Sequence, residues 1–139
     1  MATIRISTLA GGDCATNIKD RVDGGAGPGL LKCYDGTVGG MPATPETAIT
    51  TQVLLGTLTL SDPCGTVSDR TLNFSTIASD TDADADGVVT FCRVTDSNGV
   101  VIVDGDASEM SGTGLFKFNT TTIVAGGPIV CSSGAISVG

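Results

Sequence analysis

The stretch GVVTFCRVTDSNGVVIVDGD, residues 87–106, decides the fold. It places two apolar, β-branched runs on either side of Asn98-Gly99. Val, Ile, Thr and Phe suit a pleated, half-buried surface. Asn-Gly between two such runs is the strongest short hairpin signal, because both residues tolerate positive φ. The reading is a β-hairpin closed by a type I′ turn, with Asp104-Gly105 ending its second strand.

Strand-like runs continue in both directions from this hairpin. Upstream, GLLKCYDG (29–36) reads as a strand ending in an Asp-Gly turn, and TVGGMPATPETAIT (37–50) as a long Gly/Pro/Thr loop. TQVLLGTLTLSDP (51–63) is the strongest strand, with Leu54, Gly56, Leu58 and Leu60 on one face. RTLNFSTIAS (70–79) follows, and downstream come GLFKFNTTTIV (114–124) and GPIVCSSGAISVG (127–139). Residues 2–7, ATIRIS, alternate as a short strand does. The one helical segment is 12–23, where Asp13 serves as cap and Ile18 and Val22 share a face. Gly24-Gly25 and Pro28 stop it. The expected fold is mainly β: an antiparallel β-sandwich, or a barrel-like closure, with one short N-terminal helix. Residues 1–139 form a single domain whose β core spans 29–139, with no linker and no internal repeat.

The composition limits the function. Of 139 residues, 40% are apolar, so the chain buries a core, yet aromatics are only 4% and there are 20 glycines, no Trp and no His. The core must be made of Val, Ile, Leu and Ala around Phe74, Phe91, Phe116 and Phe118. A net charge of −8 with seven scattered basic residues opposes binding to nucleic acid or anionic lipid. No apolar run approaches the roughly 20 residues of a membrane span, and the N-terminus lacks a signal-peptide pattern. Synthesis in a cytoplasm, with no membrane partner, is expected. Without histidine, no Ser-His-Asp or Cys-His pair exists. GGAGPG (24–29) lacks the dinucleotide spacing and follows a helix rather than a strand. No enzymatic activity and no cofactor are expected.

Two constellations remain. Asp80, Asp82, Asp84 and Asp86 occupy alternate positions before Gly87. Asp82, Asp84, Asp86 and Gly87 match the first half of an EF-hand loop. Position 12 of that loop, which needs a bidentate Glu, is Arg93, and strand residues stand where a helix should begin. A loose calcium site on Asp82, Asp84 and Asp86 stays open beside the preferred reading, a solvated acidic loop ending in a tight turn.

The second constellation is five cysteines with no CxxC and no His, which disfavours zinc. Cys33, Cys92 and Cys131 lie in apolar runs and read as buried thiols. Cys14 and Cys64 lie in polar, turn-rich surroundings and are expected to be exposed.

LLKCYDGT (30–37), LLGTLTLSDP (54–63), FCRVTDSNGVVIVDGD (91–106) and FNTTTIVAGGPIVCSS (118–133) resemble successive segments of a family of small virion proteins of tailed bacteriophages and prophages. The similarity runs from about residue 18 to the end and is best over 91–106 and 118–128. It includes the GAGPG link (25–29) between helix and β domain. These motifs are structural rather than catalytic. The resemblance implies a virion protein, made in the bacterial cytoplasm, that decorates or cements a capsid. It implies contacts with the major capsid protein or other virion structural proteins and with copies of itself. A neck, collar or tail role is the neighbouring alternative, and an adhesin-like or calcium-dependent binding module is a further one. Members of that family carry few or no cysteines, so five mark a departure. In a particle released from a reducing cytoplasm, exposed thiols can oxidise across subunit contacts. All five cysteines, Cys14, Cys64, Cys131, Cys33 and Cys92, are disulfide candidates, with Cys14 and Cys64 the expected intermolecular pair-formers, followed by Cys131.

Overall fold

A computed structural model describes residues 3–138. Along the chain run a helix, α1 (Thr8–Val22), and the strands β1 (Leu30–Asp35), β2 (Val53–Thr59), β3 (Gly65–Ser68), β4 (Thr71–Phe74), β5 (Gly87–Val88), β6 (Phe91–Thr95), β7 (Val101–Glu109), β8 (Phe116–Phe118), β9 (Thr122–Ile123) and β10 (Cys131–Ser137). Of residues 2–7, expected as a strand, 3–7 join no sheet and residue 2 lies outside the described residues.

The helix begins at Thr8 rather than residue 12, because Ser7 caps it: its Oγ accepts the Ala10 N–H at 3.0 Å. Asp13 therefore lies inside the helix, exposed. Gly11 and Gly12 cost about 1 kcal/mol each against Ala in a helix interior, but here they let the backbone press on the β3–β4 turn. A Cβ on Gly11 would lie 2.7 Å from Arg70 Cγ, and one on Gly12 2.7 Å from the Asp69 carbonyl oxygen. The inward face buries Ala15 and Val22. Lys19 and Arg21 in the last turn complement the helix dipole.

Eight strands form one sheet in the order β2-β1-β6-β7-β8-β10-β4-β3, and β5 and β9 form a separate two-stranded ribbon. The sheet curls into a half-barrel, and its curl follows from chain length. β2 and β3 are consecutive in sequence yet sit at opposite edges. In a flat sheet those edges would lie about 34 Å apart, at about 4.8 Å per strand spacing. Residues 60–64, the whole connection, reach at most about 20 Å. The chain can pass from one edge to the other only if the sheet bends the edges together. Leu60 N donates to Gly29 O and Ser75 N to Cys64 O on that path.

Among the described residues the pairings are antiparallel apart from one: β7 and β8 run parallel, with Ala107 opposite Phe116. Parallel neighbours ordinarily need a crossover of a dozen or more residues. Residues 110–115 suffice here because the turn is bonded to the strand it leaves. Ser108 Oγ accepts Gly114 N at 2.9 Å and Asp106 Oδ1 accepts Leu115 N at 3.0 Å.

The hairpin over 91–106 exists, with a different turn. Gly99 has φ of 87°, but Asn98 does not reach positive φ. Gly99 N donates to Asp96 O, and Asp96 N to Val100 O. This is a type I turn at Ser97-Asn98 followed by a left-handed glycine, the three-residue alternative. A register shift between Val94 and Thr95 absorbs the extra residue. Beyond it Val94 faces Val103 and Arg93 faces Asp104, the pairing that a two-residue turn would also give.

β2 departs from simple alternation in the same manner. The β1–β2 register shifts between Cys33 and Tyr34, so Leu55 is buried in place of the expected Leu54.

β6 is buried along its whole length, so both of its faces are covered. Cys92 and Val94 face the main core of Leu31, Cys33, Leu55, Leu58, Leu72, Phe116, Phe118 and Ile129. Phe91, Arg93 and Thr95 point to the opposite face. There Phe91 stacks on Tyr34, with ring centroids 5.2 Å apart and planes 11° from parallel.

Candidate functional site

The aspartates of 80–86 are held by the backbone around them. Asp80 pairs with Ile129 through backbone bonds in both directions, and Ala78 bridges Thr59. Asp80 Oδ2 accepts Thr57 N at 3.1 Å, and its Oδ1 accepts Asp82 N at 2.9 Å. Asp84 N donates to Leu55 O, and Ala83 exchanges backbone bonds with Gly127 and Gly126. Asp86 Oδ1 accepts Ala125 N at 2.7 Å. The segment thus covers the free edge of β2, whose N–H and C=O groups would otherwise template another strand. Asp82 and Asp84 are exposed. Among the described residues no group of three or more acidic or thiol side chains converges in a metal-holding arrangement.

All five cysteines are free thiols. Cys14 is exposed on α1, as expected. Cys64 is fully buried, which corrects the expectation of an exposed turn. The polar residues around it, SDPCGTV, belong to the edge-to-edge crossing, and the curl of the sheet folds that crossing beneath the end of the helix. Asp23 Oδ1 accepts Cys64 N at 2.9 Å, and Lys19 Nζ holds the other carboxylate oxygen at 3.2 Å. Burial first, and the Asp23 carboxylate second, push the Cys64 thiol up to about 12. A cross-link between subunits through Cys64 would require this corner to open.

Cys33, Cys92 and Cys131 are buried, in line with their apolar runs. Cys33 and Cys92 stand opposite each other on β1 and β6, with their sulfurs 3.8 Å apart. Cys131 Sγ donates to Ser133 O at 3.4 Å, and its thiol is pushed up to about 12, chiefly by burial and next by the nearby Cys33. Burial also holds the Cys92 thiol well above its ordinary value. Protonated, buried thiols are poor nucleophiles, which leaves Cys14 as the accessible sulfur among the described cysteines.

Sequence reasoning missed the most constrained polar group. Arg93, weighed only as a defect in a calcium loop, is a buried anchor. Its Nε and Nη2 meet Asp104 Oδ1 and Oδ2 at 2.7 and 2.9 Å. Nη1 donates to Thr47 O at 2.9 Å and Nη2 reaches Thr44 O at 3.5 Å. The two side chains are 6% and 5% exposed. This fork fastens the 37–50 loop over the Tyr34–Phe91 face. The signal was present: counting outward from Asn98-Gly99 sets the lone Arg of TFCRVT opposite Asp104.

The apolar groups left uncovered near Cys14 are those of the N-terminal arm. Ile4 is 87% exposed and Leu9, in the first helical turn, 77%. A shallow groove formed by Asp13, Cys14, Asn17, Ile18 and Val138 lies on the helix surface.

Compared with protein-family models, curated proteins and solved structures, the chain matches none.

Proposed function

We propose that the chain is a non-catalytic structural subunit of a tailed-phage particle, a decoration or cement protein bound to the major capsid protein. The observation that carries the reading is the extended arm of residues 3–7 leading into α1. The arm presents Ile4 to solvent, and the first turn of α1 presents Leu9 on the helix that carries the exposed Cys14. Large apolar side chains exposed on the N-terminal arm and the first helical turn suit burial against a neighbouring subunit. A thiol on the adjoining helix suits a cross-link at that contact once the particle leaves a reducing compartment. The likeness of 91–106 and 118–128 to small virion proteins gives the same direction. Those segments are the β6–β7 hairpin and the β8–β9 strands with their following loop, which form scaffold rather than a site.

The test is fractionation. Particles from the producing bacterium are purified on a density gradient, thiols are blocked at once, and heads and tails are separated. The expected result is the chain in the head fraction, with Cys14 peptides joined to a second subunit and released by reductant. Recovery with tails assigns it to the tail or neck instead. Absence from every particle fraction overturns the reading.

A further inference from the structure

We propose that Cys33 and Cys92 are a disulfide site: oxidation joins them into a cross-strand brace between β1 and β6. The inference is separate from where the chain acts and from any link through Cys14.

Geometry selects this pair among the five thiols. The two residues are direct register partners in an antiparallel pair. Such partners have Cα atoms about 4.5–5.5 Å apart, inside the range that a disulfide spans without backbone movement. Their sulfurs are already 3.8 Å apart and must close to about 2.05 Å. Rotation about the Cα–Cβ bonds supplies that change. Cys131 has Phe118 as its strand partner, and neither Cys14 on the outer helix nor Cys64 at the edge crossing has another cysteine as one.

The reaction needs an oxidant, and a small-molecule disulfide serves. The Cys92 or Cys33 thiolate attacks it, forming a mixed disulfide and releasing one small thiol. The second cysteine then attacks the protein sulfur of that mixed disulfide, releasing the second small thiol. Two protein thiols become one S–S bond, and the two electrons and two protons leave with the small thiols. Both cysteines are fully buried, so the first attack is slow on the folded chain and fast while the core is open. The bond therefore forms during folding in an oxidising medium, or through transient separation of β1 from β6.

The consequence is a redox-dependent domain. The ring closed by the bond spans a sequence separation of 59 residues, and long rings restrict the unfolded chain most. In a reducing cytoplasm the pair stays as two small core side chains. In an oxidising medium it locks the two strands that carry the second, loop-covered face.

The experiment uses the full chain with Cys14→Ser, which removes the accessible thiol from exchange. The protein is unfolded under reductant, then refolded in mixed reduced and oxidised glutathione. Free thiols are blocked with N-ethylmaleimide in denaturant, and peptides are mapped. The expected result is a Cys33–Cys92 linked peptide as the main disulfide, with Cys64 and Cys131 alkylated. The urea midpoint should rise by on the order of 1 M and fall back with reductant. The unmodified chain mapped in parallel should give the same link. Exposure of already folded protein to oxidised glutathione should give it at least about tenfold more slowly, because the thiols are shielded. Recovery of both cysteines as alkylated peptides after refolding, or a main link to Cys64 or Cys131, overturns the proposal.

Discussion

Two long irregular segments lie against the sheet, and they are fastened by opposite chemistry. The middle of the 37–50 loop is fastened across the sheet face by one cation: Arg93 reaches up from β6 and takes the carbonyls of Thr44 and Thr47, with Asp104 neutralising it, while Gln52 Nε2 on Gly40 O and Thr51 Oγ1 on Val38 O tie the start of the loop to the residues that follow it. The 78–86 segment is fastened by anions and backbone: Asp80 and Asp86 take N–H groups, and backbone bonds to Leu55, Thr59, Gly127 and Ile129 share the task. In the first arrangement the hold across the sheet face rests on one buried side chain, and the second is spread over many bonds. Concentrated fastening covers a sheet face with little chain, but a single substitution can undo it. Distributed fastening protects an edge and tolerates individual losses.

The largest expected effect tests the concentrated arrangement. Arg93→Met should cost about 3–5 kcal/mol, since Asp104 is left charged and buried and two loop carbonyls lose their donor. Urea unfolding measures it. The double variant Arg93→Met, Asp104→Leu should recover most of that loss, because the buried charge is gone. A loss below about 1 kcal/mol in the single variant would show that the loop holds without its anchor.

Asp80→Ala comes next, at about 1–3 kcal/mol for the Thr57 and Asp82 N–H groups left without acceptor. It should also loosen the cover of β2, so size-exclusion chromatography should show association that grows with concentration. A monomer at all concentrations would mean that the backbone bridges alone protect the edge.

A smaller effect belongs to Asp35, which joins the end of β1 to β5. The Thr37 hydroxyl, then the backbone N–H groups of Val88 and Thr37, hold its carboxyl below the ordinary value. A folded value below the unfolded one gives stabilisation that is complete above the unfolded value and is lost as pH falls through the folded value. The urea midpoint should therefore decline between about pH 5 and 2, and Asp35→Asn should show less of that decline. Equal slopes in the two proteins would remove Asp35 as a contributor.

The smallest stability change should come from Cys14→Ser, within about 0.5 kcal/mol. The same variant should abolish the fast phase of thiol labelling at neutral pH, because Cys64 and Cys131 ionise only near 12. A remaining fast-labelled cysteine would show that one of the buried corners opens readily.

The sequence made some of this legible and hid the rest for physical reasons. Local patterning located β1, β2, β6 and β7, since β-branched residues between turn residues act at short range. It also assigned Cys33, Cys92 and Cys131 to the interior. The start of the helix was misplaced because Asp13 reads as a cap; Ser7 is the cap, and the close approach to Asp69 and Arg70 accommodates Gly11 and Gly12 inside the helix. Cys64 was placed outside because SDPC is polar, and its burial depends on a curl that no local pattern encodes. Leu55 replaced Leu54 in the core because a bulge shifts the face, and bulges leave no mark on alternation. The mainly-β class with one N-terminal helix is the fold observed, whereas the strand order and the single parallel pair are tertiary outcomes. The candidate site was legible as a set of cysteines and aspartates. Which thiols meet, and which carboxylates are occupied, required the assembled sheet.

The strand order also bears on how the chain is made. Among the described residues β3 and β4 attach to the rest of the sheet only through β10, which is made after all the other strands described. While the ribosome is still translating residues 131–137, β3 and β4 have one another but no further strand to join. β1, β2, β6 and β7 can already be assembled. β3 and β4 can therefore join the sheet only after residues 131–137 have left the ribosome. Deleting β10 would remove only 7 residues but would leave the β3–β4 edge unattached.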